Sequence, residues 1–183
     1  MMEAARMIAK SGAKPKRTIL FIGFAGEEFG LLGAQAWVKA HKDKLPKIAN
    51  LFNRDGGPEP PVGISVPQAM YDDFVEISEP IQKIRPDYPF EVKVREPRKR
   101  PTRMGGTDAS VFAIEGVPTL GFTTEDFKGY DFDYGEIWHT ERDLYTKNIP
   151  EYQEHTATVT AIIALGVANL DKQLSREGLY TEE

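Results

Sequence analysis

The chain has 183 residues, 40% of them hydrophobic and 10% aromatic, which suits one domain with a real core or part of a larger one. Its 23 basic and 28 acidic residues leave a net charge of −5, which argues against nucleic acid and anionic membranes as general partners. There is no cysteine, so disulfides and thiolate metal sites are excluded, and any metal must be held by His, Asp, Glu or water.

Residues 1–12, MMEAARMIAKSG, set apolar positions at helical spacing with charges between them and close on glycine. That pattern is an amphipathic helix rather than a signal sequence. The chain therefore starts inside a packed element, as a segment of something longer would. TILFIGFAG (18–26) is apolar and β-branched and reads as a strand buried on both faces, central in a sheet. GLLGAQAWVKAHK (30–42) follows as a helix, and KIANLFN (47–53) as the next strand, ending in the turn-rich RDGGPEPP.

GISV (63–66) reads as a short strand. Residues 69–85 are helical in pattern, with Pro80 expected to bend or break the helix. FEVKVRE (90–96) alternates like an edge strand, and a basic loop follows it. A short helix near 108–115, a strand at 117–122 and a long polar-aromatic loop to about 148 come next. A closing helix spans 149–174, with Pro150 in its first turn. Strands alternating with helices imply one α/β domain over residues 1–183, with a central, mostly parallel (mixed) sheet flanked by helices. The longest apolar run, AIIALGVA at 161–168, falls far short of the roughly 20 residues a membrane span needs.

In such sheets, sites gather beyond the carboxyl ends of the strands. Glu27 and Glu28 follow the first strand, Asp55 follows the second, and His139 lies on the loop after the last. Oxygen and imidazole ligands suit zinc, and a carboxylate that does not bind the metal can take a proton from water. Adjacent glutamates flanked by Gly26 and Gly30 can divide those two tasks, because neighbouring side chains in a turning backbone point different ways. Structural readings stand beside these. The Glu pair also suits a helix N-terminus, Asp55 a turn, and His139 a packed loop. The aromatic residues of FKGYDFDYGEIWH (127–139) serve equally as a pocket lining or as packing for the loop.

TILFIGFAGEEFGLLGA, FNRDGG, GGTDASVFAIEGVPTLGF and EIWHTERDLYTKNI occur in the order and spacing of the M28 family of zinc aminopeptidases and related carboxypeptidases, which the chain resembles to about residue 174. The resemblance implies a zinc-dependent exopeptidase acting on peptides, with two zinc ions. It makes Glu27 the general base, Glu28 and His139 ligands of one zinc, and Asp55 a ligand of the second. Asp108 falls near the substrate end of the site, and Asp143 would fix the His139 segment from behind. The Gly-Gly-Thr-Asp turn leans toward the carboxypeptidase-like branch.

Family members also carry a His-x-Asp segment and a bridging aspartate before the first helix, and neither lies in this sequence. His41 and His155 lack the surroundings to replace them. The expectation is thus an N-terminally truncated domain with an incomplete ligand set, whose whole protein is an exported peptidase. A non-catalytic fragment or pseudo-enzyme acting as an interaction domain is the alternative. A sheet lacking its first strands would expose an edge and invite self-association. The basic stretch 93–103 has no interleaved aromatics for base stacking, so it reads as a solvated loop or as a contact for a substrate carboxylate rather than a nucleic-acid patch.

Overall fold

A computed structural model describes residues 1–181. The chain opens with helix α1 (Met2–Lys10), whose Glu3 and Lys10 complement the helix dipole at its two ends. Ala4 is its buried contact with the closing helix, α6 (Pro150–Asn169). The chain is then tied down along α6. Lys16 donates its amide to the Asn169 side chain at 3.1 Å, and Arg17 donates its own to the Ala168 carbonyl at 3.1 Å.

The sheet is mixed and has three strands among the described residues, in the order β2-β1-β3. Strand β1 (Pro61–Val66) lies at its centre, parallel to β2 (Glu91–Val94) and antiparallel to β3 (Phe122–Thr124). Residue 63 must be glycine, because a Cβ there would stand 2.4 Å from the Glu91 carbonyl oxygen. Helix α3 (Tyr71–Ile84) covers the sheet together with α6. Ile64, Val66, Phe74, Ile77, Ile81, Val159 and Ile163 form the main core. The two helices approach closely at Gly166, where a Cβ would stand 2.5 Å from Ile77. A second core joins α2 (Leu32–Ala40) to α4 (Ala109–Ile114) through Ala34, Val38, Val111 and Phe112.

Several elements differ from the sequence expectation. Residues 18–26 form no strand, and those at 47–53 keep a single parallel bridge, Leu51 to Thr119. The apolar pattern is there, but a strand exists only through its hydrogen-bonded neighbour, and 18–26 has none among the described residues. Helix α3 runs on through Pro80, which sits on its exposed side. The closing helix stops at Asn169, five residues short of the expected end.

The long loop before α6 is anchored by Asp126, whose carboxylate accepts the amides of Tyr130 and Asp131 and the hydroxyl of Tyr152. Beneath it His155 is fully buried. It stacks on Tyr88 at 3.8 Å, and its Nε2 lies 3.0 Å from the Pro61 carbonyl. That histidine, like His41 stacked on Trp37 at 4.4 Å, is used in packing.

Candidate metal centre

The Glu27–Glu28 turn is made rigid by its own backbone. The amides of Gly30 and Leu31 both donate to the Glu27 carbonyl, and those of Leu32 and Gly33 reach back to Gly26 and Ala25. Such a reversal needs positive φ at Gly26 (68°) and Gly30 (102°), and it forces Leu31 into the left-handed region at 60°. Burial of the Leu31 side chain offsets that strain. The first turn of α2 contains no acidic residue, so the Glu pair lies ahead of the helix rather than in it.

His139 arrives from the far end of the chain. Asp133 caps the short helix α5 (Tyr134–Ile137) by accepting the Gly135 amide, and the chain then turns at Trp138. The Thr140 hydroxyl donates to the Glu136 carbonyl at 2.7 Å and pins the segment. Among the described residues the hydrogen bonds that hold this segment come from Thr140, and the Asp143 carboxylate makes none to it. His139 itself has φ 57°, a left-handed conformation uncommon for a side-chain-bearing residue. Its Nε2 lies 3.4 Å from Glu28 Oε2, and both side chains are more than half exposed.

Around this pair the charges are of one sign. The Glu27 carboxyl is held above the usual range, first by partial loss of solvent, then by the negative charges of Asp55, Glu28 and Asp108; His139 opposes the effect. Asp108, just before α4, is buried, and its Oδ1 has no hydrogen-bond partner. Burial and then the charge of Asp55 push its carboxyl up as well. The five residues singled out in the sequence therefore share one electrostatic neighbourhood.

Their chemistry suits a cation. Carboxylates crowded together, one with an orphaned buried oxygen, lack a positive partner, and a carboxylate–imidazole pair is a zinc-type donor set. The number of converging donors falls short. Among the described residues, no three His, Asp or Glu side chains gather closely enough to hold a metal ion.

Beside Asp55 lies a cavity of about 350 Å³, lined among others by Arg54, Glu59, Phe122, Thr124 and Tyr134. Tyr134 is a residue that the sequence did not single out. Its phenol is raised by lost solvent and then by the charges of Asp55 and Glu28. The aromatic loop thus divides its labour. Tyr134 lines the cavity, whereas Phe127 and Tyr130 pack on Tyr152. Two arginines of the basic stretch act as latches. Arg100 donates to the Ile114 carbonyl at the end of α4, and Arg95 to the carbonyls of Glu96 and Leu179.

The family model described as Peptidase family M28 matches residues 1–163. Carboxypeptidase Q of Mus musculus is 24% identical over 179 residues, 95% of this chain and 34% of that protein. The chain thus spans about a third of the length of such curated relatives. A probable zinc metalloprotease of Phaeosphaeria nodorum is 44% identical over 54 residues, 30% of this chain and 10% of that protein. Among solved structures, a Peptidase M28 precursor from Shewanella amazonensis superposes with a TM-score of 0.72 at 25% identity, over 94% of this chain and 36% of that one. The LapA aminopeptidase of Legionella pneumophila has the same fold, with a TM-score of 0.62 at 20% identity over 93% of this chain and 44% of that one.

Proposed function

The chain belongs to peptidase family M28, and on that premise we propose that it carries part of the active centre of a zinc-dependent exopeptidase that removes terminal residues from peptides. The observation that carries this reading is the meeting of Glu28 and His139 at 3.4 Å, from opposite ends of the fold, beside a carboxyl of raised proton affinity. Glu28 and His139 would hold one zinc and Asp55 the other. Bound zinc supplies Lewis-acid polarisation of the scissile carbonyl and makes water a usable nucleophile at neutral pH.

Glu27 is the base. Its raised proton affinity suits a group that takes a proton from the attacking water and returns it to the leaving amine. Asp108 borders the substrate side, and the cavity at Arg54, Glu59 and Tyr134 offers room for the substrate beside Asp55. Two readings of the substrate end follow the relatives' names, carboxypeptidase and aminopeptidase. Export of the whole protein accords with the description of the Shewanella relative as a precursor.

The shortage of converging donors favours a second reading, in which this chain alone is a non-catalytic interaction domain. Zinc titration by calorimetry decides between them, repeated with Glu28→Ala and His139→Ala. Tight zinc binding lost in both variants, with release of a terminal residue from peptides bearing one blocked end, supports the peptidase. Absence of any binding sensitive to these substitutions sinks it for this chain.

A further inference from the structure

Arg95 and Arg100 of the basic stretch 93–103 are engaged by backbone carbonyls. Arg54, outside that stretch, lines the cavity of about 350 Å³ beside Asp55 and is the cation among its lining residues. The loop that carries it also fixes its guanidinium. Nη2 donates to the Glu59 carbonyl at 2.5 Å, and Gly57 leaves the group room, since a Cβ there would stand 3.4 Å from Nη2. A guanidinium carries several N–H donors in a flat fork, and the Glu59 carbonyl occupies only part of it. The remaining edge suits the two oxygens of a carboxylate. Phe122 and Tyr134 give the same cavity aromatic walls, and Thr124 adds a hydroxyl.

We propose that Arg54 binds a carboxylate of the peptide substrate, either the free one at its carboxyl end or that of an acidic terminal side chain. The inference rests on the peptidase reading for its substrate and on the cavity for its chemistry. Without Arg54 the surroundings would repel such a group. Asp55 and Glu59 line the cavity, and Glu27, Glu28 and Asp108 share the charged neighbourhood of Asp55. A carboxylate therefore has one favourable place to settle, and that place decides which way the peptide lies. A C-terminal carboxylate is a single residue, about 3.8 Å of chain, from the last peptide bond. Held at Arg54, it keeps that bond near Asp55. An acidic side chain held there instead seats the terminal residue itself in the cavity.

Binding to the metal-free chain tests this, so zinc affinity and turnover do not enter the outcome. Backbone amide and Arg54 Nε–H resonances are followed by NMR as acetyl-Ala-Ala with a free carboxyl end, acetyl-Ala-Ala amide and acetyl-Glu amide are added in turn. Saturable shifts at Arg54, Gly56 and Gly57 are expected from the first or the third probe, and none from the neutral second. Shifts from acetyl-Ala-Ala identify the carboxyl end as the source, and shifts from acetyl-Glu amide the side chain. Arg54→Gln should weaken binding about ten- to hundredfold, because a charged hydrogen-bonding partner is lost. Arg54→Lys should recover part of it, since the charge is kept and the fork is not. Glu59→Gln, which removes a competing negative charge, should tighten binding, and added salt should weaken it. Equal shifts from the neutral amide, binding indifferent to Arg54→Gln, or no carboxylate binding even in Glu59→Gln overturns the proposal. None of these results bears on the zinc titration of Glu28 and His139, so the two readings fail separately.

Discussion

Gly33 lies so close to Ala25 that a Cβ on it would stand 2.7 Å from both the amide nitrogen and the carbonyl oxygen of Ala25. The Gly33 amide donates to that same oxygen at 2.8 Å, so α2 and the Glu27–Glu28 turn are one rigid piece. Gly33→Ala has to push them apart. Overpacking of this kind should cost about 1–3 kcal/mol, read as a lower urea midpoint at unchanged slope. Any zinc affinity should fall with it, because Glu28 moves relative to His139. Ala36→Ser, on the exposed side of the same helix, should cost only about 0.5 kcal/mol of helix propensity and leave any zinc affinity unchanged.

In the metal-free chain, the carboxyls of Glu27 and Asp108 sit above their ordinary range. A carboxyl of raised folded-state pKa binds its proton more tightly in the native protein. Its stabilising contribution is therefore complete below the unfolded value, at about pH 4, and is lost as pH rises through the folded value. Asp108→Asn should accordingly raise the melting temperature at pH 7 and leave it nearly unchanged at pH 3. A variant equally stabilised at both values would mean that the charge of Asp55 and the loss of solvent are not what strain this site.

Much of the candidate site's residue cluster was legible because its signals are local. Two glutamates between glycines after an apolar run, Asp55 at a Gly-Gly turn and His139 before Thr140 are short patterns, and their shared neighbourhood follows from the order of elements. Helices α1, α2 and α6 were legible from periodicity and from their glycine or proline punctuation. What failed was non-local. Nothing within Thr18–Phe24 or 47–53 says whether a neighbouring strand is at hand to complete a ladder, and apolar pattern alone made strands of both. Tyr134 and Tyr130 share a loop and a side chain. In the folded loop Tyr130, whose amide Asp126 accepts, packs on Tyr152, while Tyr134, at the start of the helix capped by Asp133, lines the cavity beside Asp55.

The backbone at His139 allows its proposed part in zinc binding to be tested apart from folding. At φ 57° a side chain is disfavoured, and relief of that strain by glycine is worth about 1 kcal/mol. His139→Gly should therefore equal or exceed the wild type in stability while losing zinc binding. His139→Ala should lose zinc binding with no such gain. If glycine destabilises the chain instead, the imidazole contributes to folding through Trp138, whose ring meets it edge-on at 4.9 Å.

Tyr152 should reveal how firmly the loop that carries Tyr134 and His139 is held. Its hydroxyl donates to Asp126 at 2.5 Å and accepts the Lys128 amide at 3.0 Å, all beneath a fully buried ring. Burial first, then the bond to Asp126, push its phenol up to about 12. A phenol of ordinary value near 10 in the unfolded chain thus contributes stability below pH 10 that disappears as pH rises through about 12. Tyr152→Phe should cost about 1–2 kcal/mol at neutral pH, because Asp126 keeps its amide donors but loses the hydroxyl. The gap between variant and wild type should close as the alkaline limit is approached, measured by urea denaturation at pH 7, 9 and 11. A gap that persists unchanged at the highest pH would assign the cost to packing of the ring edge, and leave the Asp126 bond without a part in anchoring the loop.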